Sequence, residues 1–241
     1  MTRYLVTGGS GYFGALVVAR LHAAGHDVRV LDLNDADDRP RNVEFVQGDV
    51  RDRNVVRDAV DGIDVVLNNV AQVPLAKDHE LLRTVNVDGT VNLLRASAAA
   101  GVGKVVHTSS SAVFGVPKVN PVLPTTVPSP MEAYGHAKLA AEWACLAAAQ
   151  DGLDVSIVRP RTILGHGPGE RARAGRRDVQ NSALRARRRC RCARRREPRD
   201  GGVGAHGQRM IAHPARHIVI IGGGFSGTMA AVNLARLSRV P

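Results

Sequence analysis

A glycine-rich stretch near the start of the chain indicates its fold most clearly: Thr7-Gly8-Gly9-Ser10-Gly11-Tyr12-Phe13-Gly14. The stretch follows a short strand-like run and opens an Ala/Leu-rich segment of helical period. Gly8 permits a tight turn, Gly11 lets backbone approach a pyrophosphate, and Gly14 lets the helix pack closely on the strand. The amides at the helix N-terminus attract negative charge. The stretch therefore predicts a dinucleotide site between a first strand and a first helix.

A carboxylate at the end of the second predicted strand supports this interpretation. Asp32 stands 18 residues after Gly14, where a carboxylate can accept hydrogen bonds from the adenosine ribose hydroxyls. The same carboxylate repels a 2′-phosphate, and neither Leu33 nor Asn34 is an arginine that could receive one. The sequence thus favours NAD over NADP as the cofactor.

The first 160 residues alternate short strand-like runs with longer helical stretches, which is the pattern of βαβ units. Strands are predicted at residues 4–7, 28–31, 43–47, 65–67, 104–108 and 155–158. Helices are predicted at residues 12–24, 52–60, 79–100 and 131–150. Right-handed crossovers would make this an α/β, doubly wound parallel sheet of the Rossmann-like kind.

Tyr134 and Lys138 are predicted to share one face of the last of these helices, because residues four apart lie one above the other. A phenol with its ordinary pKa of about 10 is a poor base at neutral pH. A nearby ammonium lowers that pKa, and the phenol can then exchange a proton with a substrate hydroxyl. Taken alone, a Tyr-x-x-x-Lys pair is more often an exposed pair on a helix, so its neighbours decide the interpretation.

Together these motifs resemble the extended short-chain dehydrogenase/reductases, specifically the NAD-dependent epimerase/dehydratase family, over residues 1–169. The serine-rich run before Phe114 resembles the end of that family's fifth strand. By this resemblance, Ser110 is the hydroxyl that holds the substrate oxygen against Tyr134, and Ser111 is the alternative. Each serine could instead cap the strand end. Phe114 stands where a tyrosine is more usual in the family.

The resemblance also implies further cofactor-binding positions. Asp49 and Val50 match the pair that the family sets around the adenine ring, although Asp49 could instead be a helix cap or a loop carboxylate. Asn68 and Ala71 lie in a segment that resembles the one beside the nicotinamide ribose. Asn86 matches a family helix position, although an asparagine in mid-helix otherwise faces solvent more often. The complete predicted NAD site is Gly8, Gly11, Tyr12, Phe13, Gly14, Asp32, Asp49, Val50, Asn68, Ala71, Asn86, Tyr134 and Lys138.

The resemblance implies hydride transfer between NAD and a substrate carbinol, with Tyr134 as acid and base, Lys138 tuning it and Ser110 positioning the substrate. Epimerisation of a nucleotide sugar by a homodimer is the leading reaction. A reductase or a 3β-hydroxysteroid-dehydrogenase-like enzyme would use the same trio. The family's substrate lobe would follow residue 169, and we expect that lobe to be missing from this chain. A catalytically inactive nucleotide-binding remnant is therefore a further alternative.

The net charge of +11 belongs to one stretch of the chain. Residues 170–209 hold 14 Arg, four acidic residues and no Lys, whereas residues 1–169 hold 16 Lys or Arg and 18 acidic residues. One Leu and two Val cannot build a core, so residues 170–215 are predicted to be an Arg-rich disordered segment. A natural linker, a nucleic-acid arm and a shifted reading frame are the alternatives. The absence of Lys and of stacking aromatics favours the shifted frame and argues against nucleic acid as a partner.

Residues 216–241 form a separate piece in which strand-like sequence returns. The run Gly222-Gly223-Gly224-Phe225-Ser226-Gly227 resembles the first turn of an FAD/NAD(P)-binding oxidoreductase. No second strand or ribose-binding acid follows, so this piece is predicted to be an isolated strand, turn and helix that cannot form an FAD site alone.

The remaining composition predicts a soluble cytoplasmic protein without a bound metal. The three cysteines show no CxxC spacing, which fits a reducing compartment and argues against a zinc site. The chain has no signal-peptide pattern and no apolar run approaching 18 residues, so we expect no membrane association.

Overall fold

The computed structural model describes residues 1–72, 78–117, 121–123, 125–161 and 163, and the backbone of residues 217–219. Parallel strands form one sheet in the order β3-β2-β1-β4-β5-β6-β7. The strand bounds are β1 Arg3–Thr7, β2 Asp27–Asp32, β3 Glu44–Gln47, β4 Val65–Asn68, β5 Lys104–Thr108, β6 Val155–Val158 and β7 His217–Val219. The first six strands confirm the Rossmann-like parallel sheet that the sequence predicts.

Helices cover both faces of this sheet. They are α1 Tyr12–Ala23, α2 Arg53–Val60, α3 His79–Arg83, α4 Gly89–Ala99 and α5 Ala133–Gln150. Side chains alternate along each strand, so Leu5 and Val66 pack in the core beneath α2, α4 and α5. Val6 and Leu67 point the other way, into the core that α1 covers. The sheet is therefore doubly wound.

The predicted single helix at 79–100 is wrong in one respect, because a π-helical turn at Thr84–Asp88 separates α3 from α4. Hydrogen bonds from two side chains accompany the wider turn. The Thr90 hydroxyl donates to the carbonyl oxygen of Asn86 at 2.8 Å, and the Asn86 amide nitrogen donates to the carbonyl oxygen of Leu82 at 2.9 Å. Periodicity alone does not distinguish a π turn from an α turn.

The C-terminal piece contributes a strand to the sheet. His217–Val219 pairs in parallel with Ser156–Val158, so its backbone satisfies hydrogen-bonding groups along the edge of β6. This strand was expected to be isolated, and the pairing differs from that expectation. The Arg-rich segment at 170–215 and the glycine-rich turn at 222–227 lie outside the described residues. Within the described residues, none of the helices combines the length and the apolar character that a membrane span requires.

Candidate active site

The glycine-rich turn connects β1 to α1 at the carboxyl edge of the sheet, and backbone atoms surround it closely. Gly8 has a φ of +66°, which a residue with a side chain adopts only with strain. A Cβ on Gly8 would lie 2.9 Å from the backbone of Val70, and a Cβ on Gly14 would lie 2.0 Å from the carbonyl oxygen of Gly8. At Gly11 the nearest atom to an added Cβ is that same oxygen, at 3.3 Å. Gly8 and Gly14 are therefore required by packing, whereas Gly11 is not.

The N-terminus of α1 is suited to hold a pyrophosphate. Its N-cap, Gly11, makes no side-chain cap, and no acidic residue lies in the first turn of the helix. By contrast, Asp52 caps α2 and Asp78 caps α3 through side-chain oxygens. Within the described residues, the buried Tyr12 hydroxyl has no hydrogen-bond partner. These features fit the phosphates of a dinucleotide, because amides at a helix N-terminus bind anions.

Asp32 lies beside this turn at the end of β2. Its carboxylate accepts a hydrogen bond of 3.0 Å from the backbone nitrogen of Ser10 and a longer one of 3.4 Å from that of Asn34. The predicted ribose-binding carboxylate and the predicted phosphate-binding turn are thus adjacent. The assignment of Asp32 to the ribose remains a prediction.

Asp49 follows β3 in a loop with Arg51. The Arg51 guanidinium contacts both carboxylate oxygens of Asp49, at distances from 2.5 to 3.0 Å. This hydrogen-bonded pairing lowers the pKa of Asp49, so the carboxylate is ionised at neutral pH. Asp52, and not Asp49, caps the following helix. The predicted adenine pair is completed by the buried Val50, which packs directly against Gly89 of α4.

Asn68 and Asn86 are both buried, and their amide groups contact protein atoms. The Asn68 side chain accepts a hydrogen bond from the Thr7 hydroxyl at 2.8 Å and donates to Thr90 and His107 at 3.2 and 3.0 Å. These bonds hold the Asn68 side chain within the protein, and its assignment to the cofactor site remains a prediction. The Asn86 amide nitrogen donates to the carbonyl oxygen of Gln72 at 3.0 Å, just after the half-buried Ala71. Asn86 therefore holds the segment predicted to pass the nicotinamide ribose.

Lys138 and Tyr134 share one face of α5, as their four-residue spacing predicts, and the structure places them near the carboxyl end of β5. The Lys138 ammonium is buried and donates a hydrogen bond of 3.0 Å to the carbonyl oxygen of Thr108. Burial lowers its pKa to about 8. The same ammonium lies 6.0 Å from the centroid of the Tyr134 ring.

Ser110 is the serine whose side-chain hydrogen bond lowers the pKa of Tyr134, which favours Ser110 over Ser111 as the third member of the predicted trio. The Ser110 oxygen also accepts from the backbone nitrogen of Ala112, so it caps the short 3-10 helix Ser111–Phe114 as well. Burial raises the pKa of Tyr134, and the Ser110 hydrogen bond only partly opposes that rise. The net lowering expected from Lys138 is therefore not observed, because desolvation of the phenol outweighs its neighbours.

His107 is a residue that the sequence interpretation missed. It lies in β5, fully buried, and its Nδ1 atom is 3.0 Å from the amide nitrogen of Asn68. Burial and, secondly, the charge of Lys138 lower the pKa of His107 well below its usual range. Strand alternation could have predicted this position, because His107 shares a sheet face with Val105, which packs beneath α5.

Comparisons with known proteins agree with this geometry. The sequence matches the model of the NAD dependent epimerase/dehydratase family over residues 4–191, past the predicted domain boundary at residue 169. The protein y4nG of Sinorhizobium fredii is 57% identical over 164 residues, which are 68% of this chain and 41% of that protein. The 3 beta-hydroxysteroid dehydrogenase/Delta 5-->4-isomerase of Mycobacterium tuberculosis is 38% identical over 179 residues, covering 68% of this chain and 48% of that protein.

Comparison with a solved structure agrees with the sequence matches. The Thermus thermophilus UDP-glucose 4-epimerase in complex with NAD superposes with a TM-score of 0.62 at 33% identity, covering 66% of this chain and 55% of that one. The chain spans about half the length of the curated relatives it matches. Since the family match covers most of the sequence and the sheet and turn have the expected geometry, this protein belongs to the NAD dependent epimerase/dehydratase family.

Proposed function

We propose that this protein binds NAD at the glycine-rich turn and catalyses hydride transfer at a substrate carbinol. The observation that supports the proposal most directly is that the buried Lys138 ammonium lies 6.0 Å from the centroid of the Tyr134 ring and donates to the carbonyl oxygen of Thr108, two residues before Ser110. These groups lie at the carboxyl edge of the sheet, the same edge as the turn predicted to bind the cofactor. In open parallel sheets this edge is the usual place for a ligand.

The three side chains have distinct roles in this proposal. Tyr134 exchanges a proton with the carbinol oxygen, and the Ser110 hydroxyl donates a hydrogen bond to that same oxygen. The raised pKa of Tyr134 keeps the phenol protonated at neutral pH, which suits it to give a proton when a substrate carbonyl is reduced. In the oxidative direction the Lys138 cation stabilises the phenolate that receives the proton. Bound NAD would accept or return the hydride on the substrate carbon.

A nucleotide sugar is the substrate class that we propose first. The likeness to the Thermus thermophilus UDP-glucose 4-epimerase supports it. The most direct test incubates the full chain with NAD and UDP-glucose and follows the sugar product, alongside Tyr134→Phe. We expect Tyr134→Phe to reduce turnover by about a hundredfold or more, because the ring is kept and only the proton-exchanging hydroxyl is lost. Equal turnover by the two proteins would overturn the assigned role of Tyr134.

A steroid-type alcohol is a second candidate, and a surface feature favours it. Val116, Leu123, Val127 and Met131 are exposed large apolar side chains on the connection between the Ser110 segment and Tyr134. Exposed apolar side chains next to a catalytic site would suit an apolar ligand or partner. The 38% identity to a 3 beta-hydroxysteroid dehydrogenase also supports it. Oxidation of a 3β-hydroxysteroid, but not of UDP-glucose, under the same conditions would favour this candidate over the first.

The third candidate is NAD binding without turnover. Calorimetric titration with NAD, run in parallel with the two turnover assays, separates this candidate from the others. Binding without product from either substrate supports it, whereas measurable catalysis by the 241-residue chain rules it out.

A further inference from the structure

The end of β6 holds the backbone on both sides of Ser110. The backbone nitrogen of Ser109 donates to the carbonyl oxygen of Val158 at 2.8 Å, and that of Ser111 donates to the carbonyl oxygen of Pro160 at 2.9 Å. Because these two bonds flank Ser110, any shift of the β6 end displaces the serine that contacts Tyr134. The residue between the two acceptors in sequence is Arg159.

The side chain of Arg159 connects this strand end to the helix that carries Tyr134. Its guanidinium is buried and forms a two-pronged pair with Glu142 of α5, with N–O distances of 2.8 and 2.5 Å. Tyr134, Lys138 and Glu142 recur every four residues and so lie on one face of α5. Arg159 therefore binds the same helix face from which the phenol projects.

Two further contacts connect Arg159 and the start of α5 to the 3-10 helix that follows Ser110. The Arg159 guanidinium lies over the ring of Phe114 at 4.9 Å from its centroid, and Phe114 belongs to the 3-10 helix that Ser110 caps. At the start of α5, a Cβ on Gly135 would lie 2.7 Å from the carbonyl oxygen of Ala112 in the same 3-10 helix. The segments bearing Ser110 and Tyr134 thus touch directly, and Arg159 contacts both of them.

We propose that Arg159 is a positioning residue that fixes Ser110 against Tyr134 through its pair with Glu142 and its contact with Phe114. A buried ion pair is by itself weak support for stability, because the cost of desolvating both charges offsets much of their attraction. Its geometric effect is specific, since the planar guanidinium fork fixes orientation as well as distance. The inference rests on the proposed function, in which the contact between Ser110 and Tyr134 aligns the substrate oxygen.

The test measures the pKa of Tyr134 in the full chain, so it requires no turnover. The chain has three tyrosines, and NMR of ring-labelled tyrosine resolves them, with Tyr134→Phe assigning the signal. Ser110→Ala provides the reference, because loss of the hydrogen bond that lowers the pKa of Tyr134 must raise it. Arg159→Lys keeps a positive charge beside Glu142 but lacks the planar fork. We expect it to raise the pKa of Tyr134 by about 0.5 or more.

Asp154→Asn is the matched control. Asp154 pairs with the buried Lys104 at 2.8 Å. This ion pair joins β5 and β6 at the amino ends of the strands, far from the carboxyl ends where Ser110 and Tyr134 lie. Its loss should leave the pKa of Tyr134 unchanged. Phe114→Leu is a second variant, for the case that Arg159→Lys does not fold, because it removes the ring beneath the guanidinium without unpairing a buried charge. It should shift the pKa of Tyr134 in the same direction as Arg159→Lys.

The outcomes separate this inference from the function on which it rests. Ser110→Ala combined with Arg159→Lys should raise the pKa of Tyr134 no further than Ser110→Ala alone, since both act through one contact. If Ser110→Ala raises that pKa and Arg159→Lys and Phe114→Leu do not, Arg159 has no positioning role and the proposed trio stands. If Ser110→Ala itself has no effect, the contact between Ser110 and Tyr134 is wrong, and the proposed mechanism is overturned together with the inference.

Discussion

The Lys138 ammonium donates a 3.0 Å hydrogen bond to the carbonyl oxygen of Thr108, the last residue of β5, and is itself almost fully buried. This contact fixes α5 to the carboxyl end of the strand that leads to Ser110. It also places a cation where burial lowers its pKa to about 8, while the carboxylate of Glu142 partly opposes that shift. The geometry that serves the site therefore carries a cost in stability at neutral pH.

We expect the free energy of unfolding to rise with pH above 8 in the wild-type chain. The unfolded state keeps the Lys138 proton up to its ordinary pKa of 10.5, whereas the folded state releases it near 8. In that window the unfolded state binds more protons, so folding gains about 1.4 kcal/mol per pH unit from this group. Lys138→Met should lack this rise in urea unfolding between pH 8 and 9.5. An identical slope in both proteins would contradict the assignment.

Gly14, in the first turn of α1, should not tolerate alanine. At Gly14 the added Cβ would lie 2.0 Å from the carbonyl oxygen of Gly8, so Gly14→Ala should lower the free energy of unfolding by at least about 3 kcal/mol. Gly103→Ala is the control, because its Cβ would meet only the carbonyl oxygen of Asp64, at 3.4 Å. Urea unfolding compares Gly14→Ala with Gly103→Ala. Equal losses of unfolding free energy in the two variants would contradict the packing argument.

Gly11→Ala should instead affect cofactor binding. Gly11 has a φ of −71°, which alanine adopts freely, and the added Cβ would make a single close contact, 3.3 Å from the carbonyl oxygen of Gly8, far less severe than the 2.0 Å contact at Gly14. The methyl group would occupy the approach to the α1 amides, so we expect the Kd for NAD to rise about tenfold or more with stability retained. Calorimetric titration measures this change. Unchanged NAD affinity would show that the phosphates do not approach the turn at Gly11.

The sequence predicts those parts of the fold and site that depend on local periodicity. Strand β5 matches its predicted bounds, and Tyr134 and Lys138 reach one site because a four-residue spacing fixes their shared helix face. The turn between β1 and α1 was predictable for a similar reason, since Gly8 occupies a backbone conformation that favours glycine.

The contacts that the sequence did not predict join residues from different elements. Arg159 pairs with Glu142 and Asn68 bonds to His107, but nothing in the local pattern of one strand identifies its partner on another element. The π turn at Thr84–Asp88 was also not predicted, because hydrophobic periodicity does not distinguish it from an α turn. The direction of the pKa shift at Tyr134 was predicted wrongly because it depends on how deeply the assembled fold buries the phenol.

Asp32 offers a test of cofactor choice. Asp32→Asn keeps a side-chain oxygen that can accept the hydrogen bond from the Ser10 backbone nitrogen, so the turn should keep its shape. It removes the charge that repels a 2′-phosphate, and we expect the preference for NAD over NADP to fall by about tenfold or more. Asp35→Asn is the control, since Asp35 is an exposed carboxylate paired with Arg39. Competition binding of both dinucleotides measures the ratio, which would stay constant if Asp32 does not contact the ribose.

His107 should make the chain sensitive to acid. Because its folded pKa lies well below 6.5, its contribution to stability is complete above pH 6.5. Below pH 6.5 only the unfolded state takes up the proton, so stability falls by about 1.4 kcal/mol per pH unit until the folded pKa is reached. His107→Gln retains an acceptor for the Asn68 amide but cannot titrate, so its unfolding free energy should decline less steeply between pH 6.5 and 5. Urea unfolding at matched pH values compares the two slopes. Groups other than His107 titrate alike in the two proteins, so equal losses of stability would mean that the folded and unfolded states bind the His107 proton alike, and the buried neutral imidazole beside Lys138 would be wrong.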